Sequence, residues 1–116
     1  KPGVKDLSDN INVISIVGRL LEHSRIHYFR NGVQEPFEGK FYIGSADWMN
    51  RNLRHRVEVI TPINSLNLKL KIWNIIELIL KDNINSWELS GNGIYNRKNS
   101  SKDKFNSQSW LIGNKE

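Results

Sequence analysis

Apolar and polar positions alternate in short runs over the first half of the chain, which predicts short elements separated by turns. In residues 11–21 the apolar positions recur at helical spacing, and this pattern predicts a short helix that Gly18 weakens. Residues 48–53 predict a further helical turn. The strands predicted by alternation and by β-branched or aromatic residues are 23–29, 41–44 and 57–60, the last stopped by Pro62.

The second half carries the longest regular pattern. A broad apolar face begins at Leu66 and predicts an amphipathic helix packed on a sheet, capped by Asn64 or Ser65 and running to about Lys81. Gly91-Asn92-Gly93 lies between two short apolar runs, 87–89 and 94–95, and predicts a β-hairpin. Strands and helices are therefore interleaved, and the predicted fold class is α/β.

Composition narrows the possible chemistry. The chain has 116 residues, no cysteine and a formal net charge of +5. This length suits one small domain, and the lack of cysteine excludes disulfides, thiolate metal sites and a cysteine nucleophile. The positive charge favours a polyanionic partner without choosing among nucleic acid, nucleotide and phosphate. Because the chain begins with Lys1 rather than Met, we expect it to be a piece of something longer.

Two polar clusters could carry phosphoryl chemistry. His23 and Arg25 are two residues apart on a predicted strand, so both side chains can face one pocket. A guanidinium binds phosphoryl oxygens, and an imidazole can transfer a proton or attack phosphorus. Asp47, in Gly44-Ser45-Ala46-Asp47, could orient His23 or an arginine, could help to bind a metal ion, or could only cap the next turn. The alternative is a surface histidine beside a surface arginine.

A run of arginines follows the second cluster. Arg51, Arg54 and Arg56 form either a phosphate-facing patch or a solvated face, and Glu58 can pair with Arg56 along a strand. No metal-ligand spacing occurs in the sequence, so no metal site is predicted in this chain. No phosphate-binding P-loop and no Gly-x-Ser-x-Gly motif is present either.

Three segments closely resemble one known family. Residues 14–26, 41–52 and 56–59 resemble the C-terminal region of bacterial, ATP-dependent polyphosphate kinases, which carry two phospholipase D-like C-terminal domains. His23-x-Arg25 and Gly44-Ser45-x-Asp47 stand where such domains carry His-x-Lys and Gly-Ser-x-Asn. Where the family reads Trp-Met-Pro-Arg-Asn-Leu-Asp-Arg-Arg-Val, this chain has Asn50, Arg54 and His55, which makes the region more basic.

The resemblance implies a fold and a domain division. It implies a phospholipase D-like mixed sheet with flanking helices, present as a partial domain. Residues 1–95 would be the greater part of the last phospholipase D-like domain, and residues 96–116 a polar C-terminal tail.

The resemblance also implies an activity. Such enzymes reversibly transfer the γ-phosphate of ATP to inorganic polyphosphate through a phosphohistidine, with Mg²⁺ bound largely outside this piece. His23 matches the second active-site histidine, not the phosphorylated one, and the phosphate- or nucleotide-binding residues would be Arg25, Ser45, Asp47 and Arg51. The implied partners are ATP or ADP, polyphosphate, the remaining domains of the enzyme and further copies of it, but no nucleic acid. The implied location is the cytoplasm, with peripheral membrane association, and the piece alone should be inactive.

The residues are also compatible with two other classes of function. One is a phosphodiesterase or nuclease in which a single phospholipase D-like half dimerises; it would need Lys in place of Arg25 and Asn in place of Asp47. The other is a non-catalytic module that binds polyanions through its positive charge.

Overall fold

The computed structural model describes residues 1–98 and 103–113. The described elements, in chain order, are β1 (Ile14–Ile16), β2 (Ile26–Phe29), a 3₁₀ turn (Pro36–Glu38), β3 (Lys40–Gly44), α1 (Asn50–His55), β4 (Ile60–Ile63), α2 (Leu66–Lys81), β5 (Ser86–Leu89), β6 (Tyr95–Arg97) and α3 (Ser107–Gly113). The α/β class is confirmed. The chain divides into two compact units, His23–Ile76 and Lys1–Glu22 with Glu77–Glu116.

The unit His23–Ile76 is built on an antiparallel sheet in the order β2-β3-β4. The central strand contributes Phe41, which is 1% exposed. The Phe41 ring lies 4.8 Å from Tyr28, and Tyr28 lies 5.0 Å from Trp73 of α2 (centroid distances). The turn signal Asn31-Gly32 is confirmed, because both residues have positive φ angles, of 56° and 74°. The aromatic cluster thus joins the apolar face of α2 to the sheet.

The prediction of a strand over residues 57–60 is wrong in its first and last residues. The strand is β4, Ile60–Ile63, and Pro62 lies inside it, opposite Tyr42. Because β4 is an edge strand of this sheet, its outer side needs no hydrogen-bond partner, and the missing N–H of a proline is tolerated there. Residues 57–59 instead form the extended lead into the strand, with Val57 99% exposed.

The second unit holds an antiparallel sheet in the order β1-β5-β6. The predicted hairpin is confirmed as β5–β6, with Gly93 at a φ of 88°. The predicted helix over residues 11–21 is wrong, because Ile14–Ile16 is strand β1 and pairs with Ser86–Glu88 of β5. Its β-branched residues favour extended backbone, and the distant partner strand supplies the hydrogen bonds.

The last described segment is helical. Helix α3 begins at Ser107, whose backbone N–H and hydroxyl both donate to the buried carboxylate of Asp82, at 2.8 and 2.7 Å. The predicted boundary at residue 95 falls within β6 and stays a prediction, and residues 99–102 and 114–116 of the predicted tail lie outside the described residues. Among the described helices, none has the length and apolar character needed to cross a membrane.

Candidate functional site

The pairing of β2 with β3 brings the two polar clusters of the sequence together. The strands are antiparallel, with Ile26 opposite Ile43, so the start of β2 lies beside the end of β3. The Gly44 N–H donates to the Arg25 carbonyl at 3.1 Å, which extends this contact by one residue. His23 and Arg25 precede β2 rather than lying within it, yet their side chains meet as predicted, and Asp47 joins them.

Arg25 and Asp47 form a two-pronged ion pair. Arg25 Nε donates to Asp47 Oδ1 at 2.8 Å, and Arg25 Nη2 donates to Oδ2 at 3.3 Å. The hydrogen bond from Arg25 holds the pKa of Asp47 below its ordinary value, and the same bond raises the pKa of Arg25. Both side chains are partly exposed, so the pair fixes geometry at a surface that solvent and solutes can reach.

The Arg25–Asp47 pair also fixes the hydrogen-bonding state of His23. Nε2 of His23 lies 2.5 Å from Arg25 Nη2. A guanidinium has no acceptor, so the imidazole nitrogen must accept this bond and the ring proton must sit on Nδ1. Asp47 Oδ1 lies 3.6 Å from the same nitrogen and is the acceptor it would face once protonated. The ring is 49% exposed and is therefore open to a substrate.

Asn52 supports the cluster from α1, a role that no pattern in the sequence predicts. It is 2% exposed, and its Nδ2 donates to Asp47 Oδ2 at 3.4 Å. Its Oδ1 accepts a hydrogen bond from Arg56 Nη1 at 3.0 Å. An asparagine within a polar run has no periodic signature, so only the packing of α1 shows that this one is buried.

Ser45 is held on the adjoining chain segment. Its backbone N–H donates to the Val59 carbonyl at 3.0 Å, and its Oγ accepts from the Val59 N–H at 3.1 Å. The hydroxyl proton is directed to Glu58 in a short hydrogen bond. Glu58 also faces Arg56, with 4.0 Å between Oε1 and Nη1, so the predicted Arg56–Glu58 pair is present and includes Ser45.

The three arginines of the predicted patch have different surroundings. Arg56 is engaged with Asn52 and Glu58. Arg51 and Arg54 are exposed on α1, and the charge of Arg51 contributes to the lowered pKa of Asp47. Arg51 is thus close enough to act on the cluster electrostatically, while the phosphate-binding roles of Arg25, Ser45, Asp47 and Arg51 stay predictions.

The donor set of the cluster does not fit a resident Mg²⁺ ion. Both Asp47 oxygens already accept hydrogen bonds from Arg25, and Oδ2 accepts a further bond from Asn52. Hard divalent cations take several oxygen ligands, and a carboxylate neutralised by a guanidinium is a poor one. Within residues 1–98 and 103–113, no three His, Asp or Glu side chains converge on one point.

Comparisons with a family model and with related proteins all point to the same family. A family model described as polyphosphate kinase C-terminal domain 2 matches residues 1–108. A polyphosphate kinase of Synechocystis is 52% identical over 95 residues, which are 82% of this chain and 12% of that protein. A polyphosphate kinase of Dictyostelium discoideum is 45% identical over 103 residues, which are 89% of this chain and 9% of that protein.

A solved structure extends the likeness to three dimensions. The crystal structure of polyphosphate kinase from Porphyromonas gingivalis matches with a TM-score of 0.80 at 35% identity, over 95% of this chain and 17% of that one. The chain therefore spans only a small part of the length of the proteins that it resembles.

Proposed function

This chain belongs to the family described as polyphosphate kinase C-terminal domain 2, and we propose that it is a piece of a polyphosphate kinase that supplies one wall of the active site. The whole enzyme would reversibly move the γ-phosphoryl group of ATP to a histidine outside this piece, and then to the terminal oxygen of a polyphosphate chain. ATP, ADP and polyphosphate are the proposed substrates. Further copies of the enzyme are proposed partners, in the cytoplasm and with peripheral membrane association.

The observation that carries the proposal is the contact among His23, Arg25 and Asp47. Asp47 anchors Arg25 through Nε and Nη2, and Nη1 takes part in neither bond. A phosphoryl oxygen approaching Nη1 would find a fixed positive donor, which is the arrangement that stabilises charge during phosphoryl transfer. Arg51 adds positive charge from the exposed face of α1.

His23 would act as the proton carrier or charge stabiliser of this wall. In the free site its Nε2 accepts from Arg25. When a phosphoryl oxygen replaces His23 as an acceptor of Arg25 Nη2, Nε2 is released and can take a proton from, or return one to, a phosphate oxygen. Mg²⁺ would supply charge neutralisation when bound, and since this donor set does not fit it, we place its ligands outside the chain.

The direct test uses the full-length enzyme carrying His23→Ala. We expect polymer synthesis to fall about 100- to 10,000-fold, the usual contribution of a positioned acid or base. The phosphohistidine should still form from ATP, because the phosphorylated residue is proposed to lie elsewhere. His55→Ala is the matched control, since His55 is an exposed histidine at the end of α1, and it should keep near-normal turnover.

Near-normal synthesis by His23→Ala would refute the catalytic role of His23. Polyphosphate binding that falls steeply with salt, in a full-length enzyme that shows no dependence of turnover on His23, would favour the polyanion-binding module instead. That second candidate is supported by the net charge of +5 and by the exposure of Arg51 and Arg54.

A further inference from the structure

The buried amide of Asn52 stands between a carboxylate and a guanidinium. Its Nδ2 donates to Asp47 Oδ2 at 3.4 Å, and its Oδ1 accepts from Arg56 Nη1 at 3.0 Å. An ionised carboxylate only accepts hydrogen bonds and a guanidinium only donates them, so the two ends of the amide cannot exchange places. The two neighbours therefore fix the orientation of the Asn52 side chain.

Helix α1 holds this amide in place. The Asn52 N–H donates to the Met49 carbonyl at 3.0 Å, which ties the residue to the first turn of the helix. Arg56 directly follows α1, so its bond to Oδ1 joins the end of the helix to the same side chain. Because Asn52 is 2% exposed, close packing on all sides also restricts where its side chain can lie.

The Asp47 carboxylate needs such a support if Arg25 is to keep its direction. Arg25 donates to both carboxylate oxygens, at 2.8 and 3.3 Å, but the side chains of Arg25 and Asp47 are 31% and 23% exposed. The terminal torsion of an aspartate is broad, so a two-residue pair at a surface can rotate as a unit. The bond from Asn52 to Oδ2 links this pair to a buried group on a helix and opposes that rotation.

The same contacts matter less for folding. The side chains of Asp47 and Arg56 are 23% and 61% exposed, so water can solvate both of them if the amide is removed. Loss of the Asn52 amide therefore leaves solvated charges rather than buried unsatisfied ones, and the expected damage lies in orientation rather than in stability.

We propose that Asn52 is a positioning residue for Arg25 and, through Arg25, for His23. The path consists of direct contacts within the unit His23–Ile76: Asn52 to Asp47, Asp47 to Arg25, and Arg25 Nη2 to His23 Nε2. Small displacements of a catalytic group are costly, since about 1 Å can reduce a rate on the order of a hundredfold. The inference rests on the function proposed for this site.

The test is Asn52→Leu in the full-length enzyme, which keeps the branched shape of the side chain and removes both hydrogen bonds. We expect kcat for polymer synthesis to fall about tenfold with KM for ATP nearly unchanged, because orientation and not substrate binding is lost. Asn50→Leu is the matched control, since Asn50 is exposed at the start of the same helix, and it should keep kcat within about twofold.

Asn52→Asp separates the two bonds of the amide. It keeps an acceptor for Arg56 and replaces the donor to Asp47 by a second carboxylate, which repels the first. At about pH 8, where a carboxylate beside Arg56 is ionised, kcat should fall at least as far as in Asn52→Leu. Asn50→Asp adds the same charge at an exposed position of α1 and should leave kcat within about twofold of the parent enzyme. The aspartate variant also carries the test if Asn52→Leu is not recovered folded.

A double-mutant cycle distinguishes positioning from a general structural effect. In an Arg25→Gln background no guanidinium remains at position 25 to be oriented, so Asn52→Leu should lower kcat less than about twofold there. A tenfold loss in both backgrounds would show that Asn52 acts independently of Arg25, and the positioning role would be wrong.

The outcomes separate the two proposals. Full turnover by His23→Ala would refute the proposed function itself. An inactive His23→Ala together with an Asn52→Leu enzyme that keeps its kcat would overturn only the positioning role. A rise in KM for ATP at unchanged kcat would also overturn it, because the loss would then lie in substrate binding. Full kcat in Asn52→Asp would do the same, because the bond to Asp47 would then be dispensable.

Discussion

Arg25 sets both the geometry and the charge of the candidate site. Its bonds to Asp47 hold the guanidinium against the imidazole of His23, and they pair its positive charge with the Asp47 carboxylate. On the proposed function, the positive field that attracts a phosphate chain would therefore come from neighbours such as Arg51 and Arg54, while Arg25 would supply oriented hydrogen-bond donors. At the scale of single residues, orientation and attraction are thus carried by different arginines.

The Arg25–Asp47 ion pair leads to a prediction about how stability depends on pH. Because the pKa of Asp47 is lowered, the stabilisation from this pair is present above the ordinary value of 3.8 and is lost as pH falls through the lower folded pKa. Arg25→Gln should move the Asp47 midpoint back toward 3.8, as followed by carbon NMR of the aspartate carboxyl groups. The Asp82 midpoint in the same spectra is the control and should not move. An unchanged Asp47 midpoint would contradict this account of the pair.

Individual elements depend on buried polar anchors as much as on apolar packing. Asp82 directly follows α2 and is fully buried. Its carboxylate accepts hydrogen bonds from the Ser107 hydroxyl at the start of α3 and from the N–H groups of Ile84 and Asn85 before β5. Burial alone would raise its pKa, but the hydrogen bonds from Ser107 and from the N–H groups of Asn85 and Ile84 together outweigh burial and lower it. The carboxylate therefore stays ionised, and its anchoring stays intact, at any pH above its ordinary value.

Asp82→Ala tests this anchor. The change leaves several buried donors without acceptors, so we expect the free energy of unfolding to fall by on the order of 3 kcal/mol. Urea unfolding followed by circular dichroism measures the loss. Asp9→Ala, at an exposed position, is the matched control and should stay within about 0.5 kcal/mol of the parent chain. Equal stability of the two variants would show that Asp82 is dispensable.

On the proposed function, the molecule as a whole carries one wall of an active site that needs another. The cluster offers a histidine, a guanidinium and exposed positive charge, but the chain spans only 17% of the solved polyphosphate kinase that it matches. The proposed phosphorylated histidine belongs to the remainder. On that proposal, activity is a property of the longer protein, to which this chain would contribute orientation and charge.

The isolated chain should accordingly neither make polyphosphate nor form a phosphohistidine. Incubation with radiolabelled ATP and Mg²⁺, followed by separation of polymer and of acid-labile protein phosphate, measures both, and the full-length enzyme is the positive control. Circular dichroism of the same sample checks that the chain is folded. A stable phosphohistidine on the isolated chain would mean that the roles of the histidines are assigned wrongly.

The sequence by itself determined the features that depend on local pattern. The apolar face of α2, the hairpin at Gly91–Gly93 and the strand ending at Gly44 follow from periodicity and turn chemistry. The pairing of His23 with Arg25, and the choice of Asp47 as their neighbour, followed from motif spacing.

Tertiary structure decided what depends on distant partners. Residues 14–16 are a strand because β5 lies beside them, and Pro62 is tolerated because β4 lies at a sheet edge. The buried support of the site, Asn52, is recognisable only once its burial and its hydrogen bonds are known. The physical reason is that a periodic pattern shows which face of an element is apolar, whereas strand pairing and buried polar contacts depend on partners that the local pattern does not specify.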